Sequence, residues 1–282
     1  MAIHATQKEV EEFERLLGQA GAGEGPIQAF LEMHSEFVPT PFVLGHNVNL
    51  GVIISKFQID TNLVTDFTYI TKNSAKWQVV FIEIEDPEKK IFKDSSKYRA
   101  FTAEFNDALA QVKEWRDHAP RVKAAILTRL EPLLQPTTMR RNPVSFRYVL
   151  VYGRRAELDL DQKRLERFSN ESTSEFEVMT FDACSSEAQS SAKPRRNVIG
   201  HVGDGYCFKA FRAAPGTLFS WVNVKYFRLT QSEQDLLINA GLDMPSWLAG
   251  KDLSVNGAKP KFSFSDPSAF QVSQAVEKLL YP

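Results

Sequence analysis

Cysteine is nearly absent from this chain, which has two cysteines in 282 residues. Cys184 and Cys207 do not form a CxxC pair, so the sequence predicts neither a structural zinc site nor a disulfide framework. The five histidines are scattered and show no HExxH pattern, which argues against the common zinc hydrolases. No GxSxG motif and no Cys/His arrangement indicates covalent catalysis.

Long apolar runs and a dominant charge are missing as well. No segment reaches the roughly 18 apolar residues that a membrane helix requires, and the charged N-terminal residues 1–17 are unlike a signal peptide. The formal net charge is −1, from 34 Lys and Arg against 35 Asp and Glu. Overall charge therefore neither requires nor excludes nucleic acid, and a basic binding surface must be local. We expect a reduced, cytoplasmic protein without a membrane partner.

The sequence does contain an alternation of helical and strand-like segments. Apolar spacing predicts helices over 7–17, 26–37, 97–119 and 160–170, and strands within 43–60, 63–70, 77–84, 147–153 and 176–183. This order predicts an α/β fold with a central mixed sheet flanked by helices. The polar segment 184–196 predicts a boundary, with residues 1–190 as the main domain and 197–282 as a small α+β accessory domain.

Acidic residues stand in two of the predicted strands, where acids are unfavourable. The polar loop TKNSAK between segments 63–70 and 77–84 predicts a hairpin, and the shortest sensible loop places Asp66 opposite Glu83. Side chains alternate along a strand, so Glu85 shares a face with Glu83. Three carboxylates are therefore expected to converge at one end of a sheet face.

Such a cluster is unfavourable by itself. Two like charges about 5 Å apart repel by roughly 3 kcal/mol at an effective dielectric near 20. Solvent screening at a soluble hairpin end, protonation of one acid, or a bound cation would each relieve the repulsion. Hard cations such as Mg²⁺ take oxygen ligands of this kind and promote phosphodiester hydrolysis.

The arrangement of Asp66, a hairpin and Glu83-Ile84-Glu85 resembles the D…(D/E)xK signature of the PD-(D/E)xK nuclease superfamily. Glu85 stands where lysine is usual, as in the ExE version found in some restriction-type members. The resemblance implies that the Asp66, Glu83 and Glu85 carboxylates and the Ile84 carbonyl hold Mg²⁺, for which Mn²⁺ can substitute. It also implies that Glu85 acts as a ligand or as the base for the attacking water.

The missing lysine leaves alternatives open. Lys56 on the preceding strand, or Lys89 or Lys90 after the hairpin, could replace it, and the sequence does not choose among them. Loss of that lysine also supports a rival hypothesis, a nuclease-like fold without catalysis that only binds DNA or a protein partner. A weaker alternative is an interaction scaffold centred on the aromatic segment 197–282.

A narrower resemblance covers about residues 7–190. The segments EGPIQAFLEMHSEFV, FIEIEDPEKKIF, ALAQVKEW, YVLVYGRRAEL and FEVMTFDAC resemble, in order and spacing, motifs of the Shedu family. Shedu proteins are antiphage defence nucleases that act on DNA and assemble as oligomers. The resemblance implies a metal-dependent endonuclease that nicks or cleaves double-stranded DNA and forms a homo-oligomer, a dimer or a tetramer.

Other polar residues are candidates for supporting roles. Gln111 shares a helix face with Ala108 and Trp115 and could orient a phosphate or water, or simply face solvent. Glu24 and Gln28 would lie in the first helix of the nuclease core. For Glu24 we favour the simpler interpretation that an acid at a helix start complements the helix dipole.

Basic pairs are the candidates for contacts with DNA phosphates. Arg154-Arg155 is the strongest, because it directly follows a predicted buried strand. The other candidates are Arg140-Arg141, Lys163-Arg164, Arg167 and Arg195-Arg196. Phosphate backbones attract such clusters, and their binding weakens steeply with salt. The alternative for each pair is an ordinary solvated surface.

Overall fold

A computed structural model describes residues 2–3, 5–21, 23–45, 47–94, 99–190, 193–212, 216–251 and 253. The helices, in chain order, are α1 (Gln7–Leu17), α2 (Glu24–Met33), α3 (Ala103–His118), α4 (Lys123–Leu130), α5 (Ala156–Asp159), α6 (Gln162–Ser169), α7 (Phe181–Ser190), α8 (Gly216–Trp221), α9 (Gln231–Asn239) and α10 (Met244–Leu248). The strands are β1 (Ala2–Ile3), β2 (Val48–Ser55), β3 (Gln58–Asp60), β4 (Leu63–Val64), β5 (Phe67–Lys72), β6 (Trp77–Ile84), β7 (Val144–Val151), β8 (Phe176–Met179), β9 (Lys193–Pro194), β10 (Asn197–Val202), β11 (Gly205–Ala210) and β12 (Phe227–Arg228).

A mixed sheet forms the centre of the described structure, in the order β12-β11-β10-β2-β5-β6-β7-β8. Strands β2, β5 and β6 pair antiparallel, whereas β6, β7 and β8 are parallel. Parallel strands need long crossover connections. Helices α3 and α4 supply the first crossover and α5 and α6 the second. The prediction of an α/β fold with a mixed central sheet flanked by helices is confirmed.

The β5–β6 hairpin has the register expected from its loop. Phe67 pairs with Ile82, and Lys72 pairs with Trp77. All eight residues of β6 are buried, including the acid near its end. The continuous apolar run therefore reflects a strand that is covered on both faces.

Helices cover the sheet on both sides. On one side, α3 buries an apolar stripe that includes Phe105, Leu109 and Trp115. On the other, α1 and α2 bury residues such as Phe13 and Ile27. Each such side chain contributes about 1.5–3 kcal/mol of burial free energy, so both layers hold β6 in place.

The segment 184–196 corrects one expectation. Its composition predicts a linker, but its first part is helical, because α7 extends from Phe181 to Ser190. Phe181, Cys184 and Ala188 are buried at helical spacing, and this apolar face explains why a segment rich in small polar residues still folds as a helix.

The strands after residue 196 continue the central sheet and do not form a sheet of their own. β10 pairs parallel with β2, so that Val198 lies beside Ile53 and Ile199 beside Ile54. These four side chains are all buried, so burial of apolar surface favours the pairing. Residues 97–98 of the predicted helix 97–119 and residues 254–282 of the expected accessory domain lie outside the described residues. Among the described helices, none has the length and apolar character needed to cross a bilayer.

Candidate active site

Asp66 lies at the entrance to β5 and is fixed by the backbone around it. Its N–H donates to the Ile82 carbonyl at 3.1 Å, and its carbonyl accepts the Lys56 N–H at 2.8 Å. Its carboxylate Oδ2 accepts the Ile84 N–H at 2.7 Å. The residue is 4% exposed. The hairpin register thus places the Asp66 carboxylate at the end of β6, as the sequence predicted.

Glu83 is the second buried acid, with 9% of its surface exposed. Gln111 of α3 donates its side-chain N–H to Glu83 Oε1. Burial, and next the negative charge of Asp66, raises the pKa of Glu83. Burial also raises the pKa of Asp66, although the Ile84 N–H and Lys56 oppose the shift. Two neighbouring buried carboxyl groups with raised pKa values favour a proton held between them.

Lys56 directly follows β2 and has a left-handed backbone conformation, with φ 50°. Its ammonium group donates to Asp66 Oδ1 and lies 3.3 Å from Glu24 Oε1. Burial would lower the pKa of Lys56, but the carboxylates of Asp66 and Glu24 outweigh it and raise the pKa. Lys56 therefore remains charged beside the acid pair.

The other two lysines that the sequence left open have different partners. Lys89 Nζ donates to Glu85 Oε2 at 2.5 Å, and Lys90 Nζ donates to Asp94 Oδ2 at 2.7 Å. Of these three lysines, Lys56 is the one whose ammonium group donates to Asp66. The negative charge of Glu85 contributes to the raised pKa of Glu83, so the two carboxylates are near enough to interact. The Glu85 carboxylate nevertheless pairs with Lys89. Asp66 and Glu83 are therefore the two directly neighbouring acids, and Glu85 lies next to them.

Helix α2 completes the site from the opposite layer. Gln28 Nε2 donates to Ser55 Oγ at 3.2 Å and to the Asp66 carbonyl at 3.5 Å, while its Oε1 is buried without a hydrogen-bond partner among the described residues. Glu24 is the first residue of α2, as expected for an acid that complements a helix dipole, and it also contacts Lys56. Sequence reasoning missed Ser55, which carries no motif.

The pair Arg154-Arg155 follows β7. Because β7 runs parallel to β6, this pair lies at the same edge of the sheet as Glu83. Arg154 donates to both carboxylate oxygens of Asp182 at 3.0–3.2 Å and to Glu14 at 2.8 Å. Arg155 Nε donates to Asp159 at 2.7 Å. Both guanidinium groups therefore already have carboxylate partners.

The pair Arg140-Arg141 precedes β7 and lies at the opposite edge of the sheet. Arg140 donates to Glu131 Oε1 at 2.7 Å and to the Leu134 carbonyl at 3.2 Å. Arg141 is exposed and makes no hydrogen bond or ion pair with other described residues. The sequence-based candidates for phosphate binding thus divide between two edges, and Arg154-Arg155 shares an edge with the acids.

A different acidic cluster connects α1 with the turn after α2. Ligand atoms of Glu9, His34 and Glu36 lie within 4.8 Å of one another, and no other set of three does so in the described part of the chain. Arg195 already occupies this position, since its Nη2 donates to Glu9 at 2.8 Å and its Nε lies 3.3 Å from Glu36. A guanidinium group therefore supplies the positive charge there.

Comparison with known proteins identifies one family. The family model described as "Shedu protein SduA, C-terminal" matches residues 22–183, which is more than half of the chain. The matched region contains Glu24, Lys56, Asp66, Glu83 and Gln111. A search of curated proteins finds no significant match.

Proposed function

The chain belongs to the Shedu SduA C-terminal family, which indicates a role in antiphage defence, and we propose that it is a metal-dependent DNA endonuclease. The observation that carries this proposal is the buried pair Asp66 and Glu83, held at one sheet edge beside Lys56. A buried acid pair with raised pKa values is costly for a purely structural purpose. Perturbed pKa values of this kind concentrate at functional sites.

The residues fit a hard divalent cation. The donor atoms available are carboxylate oxygens of Asp66, Glu83 and Glu85, with the Ile84 carbonyl as a further oxygen, and Mg²⁺ and Mn²⁺ prefer such ligands. A proton retained by the pair indicates an unmet need for positive charge. When bound, such a cation would stabilise phosphate oxygens as a Lewis acid and make a water more acidic.

Each neighbouring residue then has a separate task. Gln111 fixes the orientation of the Glu83 carboxylate through its hydrogen bond. Lys56 holds Asp66 and offsets the negative charge that develops on the phosphate during hydrolysis. Glu85, once released by Lys89, accepts the proton of the water that attacks phosphorus, while the bond from phosphorus to the leaving sugar oxygen breaks.

Double-stranded DNA would approach the edge that carries Arg154 and Arg155. Phosphate contacts position the duplex without reading its sequence. The ion pairs with Asp182 and Asp159 limit how strongly these arginines can bind, so we propose that further basic groups come from other subunits of a homo-oligomer. Arg140 and Arg141, at the opposite edge, would contact a different part of a long duplex.

The direct test is the Glu83→Ala variant in a plasmid-nicking assay with Mg²⁺ or Mn²⁺. Nicking should disappear while circular dichroism and thermal unfolding remain those of a folded protein. The matched control is Glu177→Ala, which removes a partly buried acid from β8, where burial also raises the pKa. This control should nick normally, and undiminished nicking by Glu83→Ala would reject the assignment.

A second function is favoured by one specific observation. Lys56 and Lys89 already pair with Asp66 and Glu85, as they would in a fold that binds DNA without cutting it. Duplex binding without any cleavage in Mg²⁺, Mn²⁺ and Ca²⁺, and across several salt concentrations, would support this function over the nuclease.

A further inference from the structure

A cavity of about 410 Å³ lies at the edge of the sheet opposite the acid pair. It is bounded by the start of β2 and the end of β5, while Lys56 and Asp66 lie at the other ends of the same strands. In the pairing of β2 with β5, Ser55 lies beside Phe67 and Val48 lies beside Thr71. The four residue steps from Phe67 to Thr71, at about 3.3 Å each, therefore separate the two ends of β2 by about 13 Å. We name this cavity, which includes Lys72, Arg195, Arg196 and Asn49 in its lining, the far-edge pocket.

An irregularity in β2 opens the far-edge pocket. Leu50 and Gly51 both have left-handed backbone conformations, with φ 58° and 64°. At this point the pairing of β2 with β5 is interrupted between Val48 and Ile53. A bulge redirects side chains and removes local ladder contacts, and such irregularities often lie beside binding sites. The interrupted pairing of β2 with β5 therefore forms one side of the pocket, and Gly45 and Asn47, which precede β2, also line it.

The charge around the far-edge pocket has one sign. Lys72, Arg195 and Arg196 line it, and no acidic residue is among its described lining residues. Asn47 and Asn49 add side-chain amides, whose Nδ2 groups donate to the Gly45 and Leu133 carbonyls and each carry a second N–H. The Arg195 guanidinium also pairs with Glu9 and Glu36, and the Lys72 ammonium lies over the Trp77 ring. A concave lining with basic and no acidic side chains is the feature expected for a small anion.

Arg196 is the strongest evidence that an anion belongs there. The residue is 5% exposed, and its guanidinium Nε and Nη1 have no hydrogen-bond partner among the described residues. Burial lowers the pKa of Arg196 to about 10. Tyr69 and Glu36 oppose this shift, but Arg195 already contacts Glu36. A buried cation without a direct partner is costly, and an anion in the pocket would offset that cost.

We propose that the far-edge pocket binds a small phosphate-bearing ligand of about nucleotide size. Phosphate groups suit it, because several basic side chains can be satisfied by one multiply charged group. The volume falls within the roughly 300–1,000 Å³ of small-molecule sites, which is more than inorganic phosphate alone would fill. The ligand is distinct from any phosphate handled at the acid pair, and the proposal does not depend on the nuclease function.

Isothermal titration calorimetry in EDTA, with ATP and with inorganic pyrophosphate as ligands, tests the proposal by measuring their affinities. EDTA removes divalent cations, so metal-mediated binding at the acid pair does not contribute. Wild-type protein should bind ATP, and Lys72→Gln and Arg196→Gln should each weaken binding at least tenfold. Lys76→Gln, which removes a lysine from the same hairpin outside the pocket, and Asp66→Asn, at the far ends of the strands, should bind as wild type does.

The possible results of the titrations lead to different conclusions. Binding of both ATP and pyrophosphate identifies phosphate groups as the recognised part, and binding of ATP alone adds recognition of the nucleoside. Absence of binding by either probe at millimolar concentration overturns the proposal. Wild-type affinity in Lys72→Gln, or lost affinity in Asp66→Asn, overturns the location. Lys72 is only partly buried, so this variant remains informative if Arg196→Gln fails to fold.

Discussion

Two acidic clusters in this protein have opposite electrostatic character. At Glu36, which is 1% exposed, burial would raise the pKa, but His34, the local backbone and Arg195 together lower it. At Glu83, burial and Asp66 raise the pKa, and no arginine lies beside the carboxylate in the described structure. The protein thus neutralises one buried acid with its own side chain and leaves another without equivalent compensation. The difference separates a structural ion pair from the acid pair at which we propose a metal site.

The largest effect should come from removing the internal cation. Arg195→Met leaves the buried Glu36 with only His34 and the local backbone to stabilise its charge, and breaking a buried pair in this way costs about 3–5 kcal/mol of unfolding free energy. Urea unfolding followed by circular dichroism measures the loss. Arg147→Met, which removes an arginine paired with the exposed Glu175, is the control and should cost less than about 1 kcal/mol. Equal losses in the two variants would contradict the comparison.

The second effect concerns the support of Glu83. Gln111→Leu keeps the apolar contacts of α3 but removes the hydrogen bond to the carboxylate. Loss of such a supporting group typically lowers metal affinity or activity about 10–100-fold. Mn²⁺ titration monitored by electron paramagnetic resonance, together with nicking rates, should show this decrease. A variant with unchanged Mn²⁺ affinity would show that Gln111 has no role at the metal.

The pH dependence of stability should have opposite signs at the two clusters. Glu36 has a lowered pKa, so its contribution is present above the ordinary value of 4.5 and is lost as pH falls through its folded value. Glu83 has a raised pKa, so its protonated form favours folding, and stability decreases as pH rises above 4.5 toward its folded value.

Unfolding in EDTA between pH 2 and pH 9, compared with Glu36→Gln and Glu83→Gln, tests both signs. Glu83→Gln should remove a loss of stability on the alkaline side, and Glu36→Gln should remove a loss on the acidic side. If the two variants change the dependence of stability on pH in the same direction, the opposite signs assigned to Glu36 and Glu83 are wrong.

The smallest effect is expected at Glu85. Lys89 is partly exposed, so its ion pair with Glu85 resembles a surface pair, and Lys89→Ala should change stability by less than about 1 kcal/mol. The Lys89→Ala substitution should change the nicking rate more than the stability, because it frees Glu85 to act as a base. A stability loss comparable to that of Arg195→Met would mean that the pair is structural.

The hairpin was predictable because a single loop fixes the pairing of Asp66 with the end of β6. Side chains alternate between the two faces of a strand, and this alternation fixes which residues share a face with Glu83. Lys56 could not be selected in advance, because its position depends on a left-handed turn after β2 and on the β3–β4 excursion that separates it from Asp66. Gln111 was recognised as a candidate from its helix face, but its partner was not, since α3 meets β6 only in the folded protein. The ion pairs of Arg154 likewise join residues far apart in sequence, and no local pattern reveals them.

The pairing of β10 with β2 has a practical consequence for dissecting the protein. A fragment that stops at residue 190 would lose the neighbour of Ile53 and Ile54 and leave a row of backbone donors and acceptors with no partner. Such a fragment would associate with other copies through that exposed strand and precipitate or form filaments. Point substitutions, and not truncation, are therefore the sound way to assign tasks to the two halves of the chain.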